Sequence, residues 1–96
     1  MSPKNKIKLN TIRNKLDILD NQLLSLIKQR TNLVDSVVKL KQYKKEIVDK
    51  KRINSILQKI KMRSKTLNID TNITKRIWKN MIWSYINYER KNFKRK

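Results

Sequence analysis

The fold is decided by one long stretch, IRNKLDILDNQLLSLIKQRTNLVDSVVKLK, residues 12–41. Its apolar residues recur at alternating steps of four and three, which is the spacing of a sustained helical seam. The only proline of the chain is Pro3, so nothing in this stretch breaks a helix. The pattern predicts a helix over about residues 8–41 that carries one apolar face: Ile12, Leu16, Leu19, Leu23, Leu26, Leu33, Val37 and Leu40.

A helix of that length is about 50 Å long at a rise of 1.5 Å per residue. A chain of 96 residues is at most one small domain, and it cannot cover so long a stripe by itself. The seam therefore predicts a second copy of the chain as its partner, in an intertwined homodimeric helical bundle.

Two further helices are predicted after a loop over residues 42–48. Asp49 can cap the first of them and Asp70 the second, because Asp is a favoured N-cap residue. A short connector over residues 66–69 separates them. Their apolar faces are Ile53, Ile56, Leu57 and Ile60, and then Ile73, Ile77, Trp78, Met81, Ile82, Tyr85 and Ile86.

The predicted fold class is thus all-α, with three helices per chain, one of them long. The sequence has no strand pattern and no internal repeat, so we predict a single helical domain over residues 1–96. Its basic ends, residues 1–7 and 91–96, are expected to fray.

The composition restricts the chemistry. There is no Cys and no His, which excludes disulfides, zinc sites of the Cys/His type and catalysis by a histidine base. We expect no cofactor and no metal. The opening residues MSPKNKIKLN contain no apolar core of signal-peptide length, and no run of roughly 18 apolar residues follows. The expected location is cytoplasmic, with no membrane association.

The net charge is +19, from 26 Lys and Arg against 7 Asp and Glu. Such a charge favours an anionic partner, whether nucleic acid, acidic lipid or a small polyanion. The chain is also rich in Lys, Asn and Ile, as an AT-rich coding sequence dictates, so many lysines have an equally good explanation as solvated surface residues.

A charged residue interrupts the apolar seam. A step of four from Leu26 leads to Arg30, and a further step of three leads to Leu33. A buried charge is costly unless it is paired, and Arg is well shaped to bind a carboxylate with two hydrogen bonds. Arg30 is therefore either a binding residue or the partner of an acid such as Asp17 or Asp20. Lys41 lies eleven residues further on the same face, although by itself it is better explained as a surface lysine.

The later helices repeat this feature. Arg52 follows Asp49 by three residues and can either pair with it or face a ligand. Glu89 continues the apolar stripe of Ile82 and Tyr85, where desolvation favours the neutral acid. The alternative is a salt bridge from Glu89 to Arg30 or to another cation. Together these residues predict an anion-binding site inside a helical bundle.

Three runs carry a resemblance to a known family: residues 12–41, IVDKKR at residues 47–52 and IWKNMIWSYINYE at residues 77–89. In order and spacing they resemble the all-helical type II chorismate mutases over most of the chain. The resemblance implies the rearrangement of chorismate to prephenate, a step of aromatic amino acid biosynthesis, without a cofactor. It implies Lys41, Glu89 and Arg30 as the catalytic residues.

The same resemblance implies the individual roles. Arg13 and Arg30 would bind the two carboxylates of the substrate, with assistance from Arg52. Lys41 would bridge a carboxylate and the ether oxygen of the breaking bond, and Glu89 would reach the same oxygen. The backbone of residue 49 would hold the ring hydroxyl. Arg13 and Arg30 are 17 residues apart, roughly 25 Å along one helix, so if both serve one site Arg13 must come from the partner chain.

Two positions depart from the mutase pattern. Ile53 stands where the family commonly has a Glu that contacts the ring hydroxyl, and Tyr85 stands where it often has a small hydroxyl residue. Ser84 is one position away and rotated by about 100°, so it is no simple substitute. Both departures resemble isochorismate pyruvate lyase, which forms salicylate, whereas Asp49 favours the mutase. The substrate-binding residues implied here therefore include Ile53 and Tyr85.

Other classes of function remain as alternatives. A basic helical dimer that binds nucleic acid is motivated by the charge, but the basic residues are scattered over all helix faces. A structural coiled-coil adaptor is disfavoured by Arg30 within the seam and by the two additional helices. A membrane-surface role would rest on the basic tail alone.

Overall fold

The computed structural model describes residues 1–94, and these form three α-helices and a short 3₁₀ turn. Helix α1 spans Pro3–Leu40, the turn spans Lys44–Glu46, α2 spans Lys50–Thr66 and α3 spans Thr71–Asn92. No residue in the described range lies in a strand. The predicted all-α class, with three helices of which one is long, is confirmed.

Helix α1 begins at Pro3, five residues before the predicted start. The Ser2 hydroxyl accepts a hydrogen bond from the backbone N–H of Asn5 at 3.2 Å, and Pro3 supplies a backbone angle that suits a first helical position. Residues 3–7, which were expected to fray, are therefore helical. At the other end Lys91 and Asn92 close α3, and the last two residues of the predicted basic tail, 95 and 96, lie outside the described residues.

The chain divides into two compact units, Met1–Leu33 and the residues from Val34 onward. The first unit is a single stretch of α1. Its seam residues are between 51% and 57% exposed within one chain: Ile12, Leu16, Leu19, Leu23 and Leu26. The apolar face that the periodicity predicts is thus present on the helix and is open to a partner.

The second unit is built on α2 packed against α3. Asp49 caps α2 by accepting from the backbone N–H of Arg52 at 3.0 Å, and Asp70 caps α3 by accepting from that of Asn72 at 2.8 Å, as predicted. Asn68 closes the connector with a φ of 57°, a left-handed conformation that Asn tolerates better than most residues.

The core of this unit is small and apolar. Ile82 and Ile86 of α3 are buried together with Ile47, which follows the 3₁₀ turn. Partly buried side chains complete the cluster: Val48, Ile53, Ile56, Leu57 and Phe93. Towards the connector, the buried hydroxyls of Ser64 and Thr74 join α2 to α3 at 2.8 Å. These contacts hold α2 and α3 as a hairpin.

The predicted loop over residues 42–48 contains more structure than expected. Lys44–Glu46 form the 3₁₀ turn, and the Glu46 carboxylate accepts a hydrogen bond from the backbone N–H of Gln42 at 2.9 Å. This local bond folds the loop back on itself, so that Ile47 enters the core.

Candidate functional site

An ion pair joins the end of α1 to the last turns of α3. The Lys41 Nζ and the Glu89 Oε1 are 3.2 Å apart, although the two residues are separated by 48 positions in the chain. The side chains are only 18% and 10% exposed. Charges shielded from water in this way are tolerated because each neutralises the other.

The sequence explains how each partner reaches this position. Lys41 directly follows the end of α1, where its backbone N–H donates to the carbonyl of Val38 at 3.2 Å. Glu89 follows the buried residues Ile82 and Ile86 at steps of four and three, and it is itself buried. The prediction that Glu89 lies on the apolar stripe of α3 is confirmed.

The cation that pairs with Glu89 is therefore Lys41. A salt bridge from Glu89 to a cation was one of the two interpretations that the sequence left open. The other interpretation, a protonatable carboxyl group in a binding site, is also compatible with this contact, because the resemblance places Lys41 and Glu89 at one oxygen atom.

A second contact between α1 and α3 lies beside this pair, and the sequence analysis missed it. The Tyr88 hydroxyl donates a hydrogen bond of 2.6 Å to the Asp35 Oδ1. This bond to the carboxylate raises the pKa of the Tyr88 phenol, and desolvation and the negative charge of Asp35 act in the same direction. The two residues are 53 positions apart. The one indication in the sequence was that Asp35 is an acid among the valines of residues 34–38.

Tyr85 is adjacent to this second contact. It is partly buried, and its ring meets the ring of Tyr88 edge to face, with centroids 6.4 Å apart and an interplanar angle of 90°. The last turns of α3 therefore carry two phenols and a carboxyl group within five residues: Tyr85, Tyr88 and Glu89.

The start of α2 contributes the remaining candidates of this unit. Asp49 uses its carboxylate for the cap, and the contact from Arg52 is made by its backbone N–H rather than by its guanidinium. Arg52 is exposed. Ile53 is partly buried and packs against the core formed by Ile47, Ile82 and Ile86, so this position supplies apolar surface and no polar group.

Arg13 and Arg30 lie in the other unit, on α1. Arg13 is exposed and Arg30 is partly buried. The helix between them is continuous, which keeps their Cα atoms roughly 25 Å apart. A single small dicarboxylate cannot reach both arginines of one chain.

The chemistry available at the pair of Lys41 and Glu89 is the binding of an oxygen atom by donors. The ammonium group has three donors, and a protonated carboxyl group adds another. Over residues 1–94 no three acidic side chains come together in a way that could hold a metal ion. Within the same range no helix is both long and apolar enough to cross a membrane.

The chain matches a known protein family. The family model described as chorismate mutase type II matches residues 12–90. The matched range contains every predicted site residue, from Arg13 to Glu89. A search of curated proteins and a search of solved structures returned no significant match.

Proposed function

This chain belongs to the chorismate mutase type II family, and from that premise we propose that it rearranges chorismate to prephenate. The observation that carries the proposal is the shielded pair of Lys41 and Glu89 at 3.2 Å. The reaction is intramolecular, so it requires no nucleophile. A protein can accelerate it by holding the substrate in its compact conformation and by stabilising the charge that develops on the ether oxygen.

In this mechanism the two side chains act at the breaking bond. Lys41 has donors to spare beyond the one directed at Glu89, and these can reach the ether oxygen as negative charge grows there. Glu89 assists when it is protonated, because a carboxylate has no proton to donate. Their partial burial strengthens both interactions, since water screens them less.

The carboxylates of the substrate require further cations. We assign them to Arg30 and Arg52, and to Arg13 of a second copy of the chain. The separation of roughly 25 Å between Arg13 and Arg30 supports a partner. The half-exposed seam of α1 supports it as well, because apolar positions so regularly spaced are suited to packing against another helix. The proposed assembly is a homodimer with two composite sites.

A second candidate function is isochorismate pyruvate lyase, which forms salicylate. The observation that favours it is the packing of Ile53 into the apolar core, at a position where a polar side chain would contact the ring hydroxyl in the mutases. Asp49 favours the mutase, because its backbone is the group implied to hold that hydroxyl. Both reactions would use the same cations, so only the products distinguish them.

The test is an assay of the purified full chain with chorismate and, separately, with isochorismate, in which substrate loss is followed and products are identified. We expect prephenate from chorismate, and we expect Arg30→Ala and Lys41→Ala each to lower its rate of formation by at least about 100-fold. Lys44→Ala is the matched control, because it removes an exposed lysine from the neighbouring turn.

Three results would contradict the proposal. Faster formation of salicylate and pyruvate from isochorismate would make the lyase the function. Turnover of neither substrate would exclude both reactions, and retention on heparin or DNA at high salt would then favour nucleic-acid binding. Prephenate formation that survives Lys41→Ala would leave the reaction in place but would remove this pair from it.

A further inference from the structure

The hydrogen bond between Tyr88 and Asp35 lies next to the candidate catalytic pair. Tyr88 precedes Glu89 by one residue, and Asp35 precedes Lys41 by six. We propose that this bond is a positioning device, which holds α3 against α1 so that Glu89 meets Lys41. In this role Tyr88 and Asp35 act through the pair and do not touch the substrate. The kinetic part of the inference rests on the proposed function.

The spacing of the two contacts is the first argument. At α1 they come from residues six positions apart, Asp35 within the helix and Lys41 directly after its end, whereas on α3 they come from consecutive residues, about 1.5 Å apart along the axis. Consecutive helical side chains point about 100° apart. Tyr88 and Glu89 can therefore both reach α1 only within a narrow range of rotation of α3 about its axis. Two such contacts restrict this rotation more tightly than either contact would alone.

The second argument is the need for such a constraint at Lys41. Helix α1 ends at Leu40, so Lys41 lacks the regular backbone restraints of a helical residue. Its side chain is also long and flexible, and ordering it costs conformational entropy. The short bond from Tyr88 to the Asp35 carboxylate restrains the preceding turn of α1 from outside. A hydrogen bond to a charged acceptor is stronger than one between neutral groups.

The contact with Tyr85 adds a third argument. The ring of Tyr88 supports the ring of Tyr85 at 6.4 Å, and Tyr85 is one of the predicted substrate-binding residues. Tyr88→Phe keeps this ring contact and removes only the hydroxyl group. The variant therefore separates the positioning bond from the packing around it.

The kinetic test compares variants of Tyr88 and Asp35. We expect Tyr88→Phe and Asp35→Ala to lower kcat by about 10- to 100-fold, the order of effect that a displaced catalytic group produces, with little change in KM. Asp35→Asn should retain most of the rate, because its amide oxygen still accepts the hydrogen bond. The double variant Asp35→Ala/Tyr88→Phe should be no slower than the slower single variant, because both remove one interaction.

Ser64→Ala is the matched control. Ser64→Ala removes the 2.8 Å hydrogen bond between Ser64 and Thr74, which joins two helices as the Tyr88 bond does and is of similar length. None of the predicted site residues takes part in it. We expect it to lower the melting temperature without lowering kcat. Equal effects of Ser64→Ala and Tyr88→Phe on kcat would reduce the Tyr88 bond to a contribution to general stability and would overturn the proposal.

A second readout needs no turnover. The chain has two glutamates, Glu46 and Glu89, so selective labelling of the glutamate carboxyl carbons gives two NMR signals. We expect Tyr88→Phe and Asp35→Ala to move the Glu89 signal, and we expect the Glu46 signal to stay in place. Ser64→Ala should move neither. If Tyr88→Phe does not fold, Asp35→Ala provides the same comparison.

The two readouts separate the two hypotheses. A wild-type chain that turns over neither chorismate nor isochorismate but shows the expected Glu89 shifts would refute the proposed function and support the positioning of the pair. An active wild-type chain in which neither kcat nor the Glu89 signal responds to Tyr88→Phe would overturn the positioning role and leave the proposed function intact.

Discussion

Lys41 and Glu89 form an ion pair of 3.2 Å in which both side chains are largely shielded from water. The two groups come from different helices, and their charges cancel where the surrounding surface is strongly basic. Loss of either group leaves the other charge shielded and unpaired. If the pair is only structural, its removal should lower the melting temperature. If it is catalytic, its removal should lower kcat.

Lys41→Ala should reduce kcat with chorismate by about 100- to 1,000-fold, the loss produced when one preorganised donor is removed from a developing charge. Steady-state kinetics provides the measurement, with Lys44→Ala as the control for loss of a positive charge. If Lys41→Ala changed only the melting temperature and left kcat at the wild-type value, the pair would be structural alone.

Glu89 should contribute to the rate through a hydrogen-bond donor directed at the ether oxygen. The amide of Glu89→Gln can donate to that oxygen, so this variant should keep a substantial kcat, whereas Glu89→Ala has no donor and should lower kcat by about 100-fold or more. Steady-state kinetics with chorismate provides the measurement. Equal kcat values for Glu89→Gln and Glu89→Ala would contradict this role for Glu89.

The hydrogen bond of Tyr88 should stabilise the fold at pH values below the pKa of its phenol, and this stabilisation should be lost at higher pH. Its pKa is raised above the ordinary value of 10.0 by the bond to Asp35. A group with a raised pKa in the folded state contributes stability that is fully present below the unfolded value and is lost as the pH rises through the folded value. Tyr85 is in contact with the phenol, and Lys39 and Lys94 line the adjacent cleft together with Asp35, so these groups share its surroundings.

Denaturant unfolding of the wild type and Tyr88→Phe checks this expectation. The difference in unfolding free energy should be largest near neutral pH and should shrink at strongly alkaline pH. Ser64→Ala provides the control, because the hydroxyls that it affects do not titrate in this range. A difference for Tyr88→Phe that is the same at both pH values would contradict the pKa assignment.

A mixture of two impaired variants should recover activity if Arg13 acts in the partner's site. Arg13→Ala and Lys41→Ala are each expected to be at least about 100-fold slower than the wild type. When unfolded and refolded together, they should form mixed dimers in which one of the two sites has both residues intact, which gives about a quarter of wild-type activity overall. Prephenate formation measured on the mixture and on each variant alone provides the test. No recovery from the mixture would place Arg13 in the site of its own chain or outside any site.

Periodicity was sufficient to predict the helices and the buried position of Glu89 on α3. The seam predicted α1, the aspartates at 49 and 70 predicted both caps, and the steps along α3 placed Glu89 on its apolar face. These features depend on neighbours within one or two turns. The start of α1 was missed because its signal, Ser2 followed by Pro3, lies outside the apolar repeat. That signal is local, and a search for helix caps would have found it.

The contact of Asp35 with Tyr88 could not be predicted in this way. No spacing rule relates two residues of separate helices, because their approach depends on how α3 is turned against α1. For the same reason, the sequence could not predict whether Lys41 or Arg30 would be the partner of Glu89. The sequence left open whether Glu89 is a neutral acid or pairs with a cation, and only the packing of the helices decided that it meets Lys41.

The small core of the second unit has a consequence for the abundance of the protein. Among the described residues of one chain, four apolar side chains are buried: Val38, Ile47, Ile82 and Ile86. So little buried surface scarcely offsets the entropy lost on ordering the backbone, and the proposed homodimer would add burial along the α1 seam. By mass action, the melting temperature should then rise as the protein is concentrated. At a low cellular concentration a larger fraction of the protein would be unfolded and open to proteases than at a high concentration.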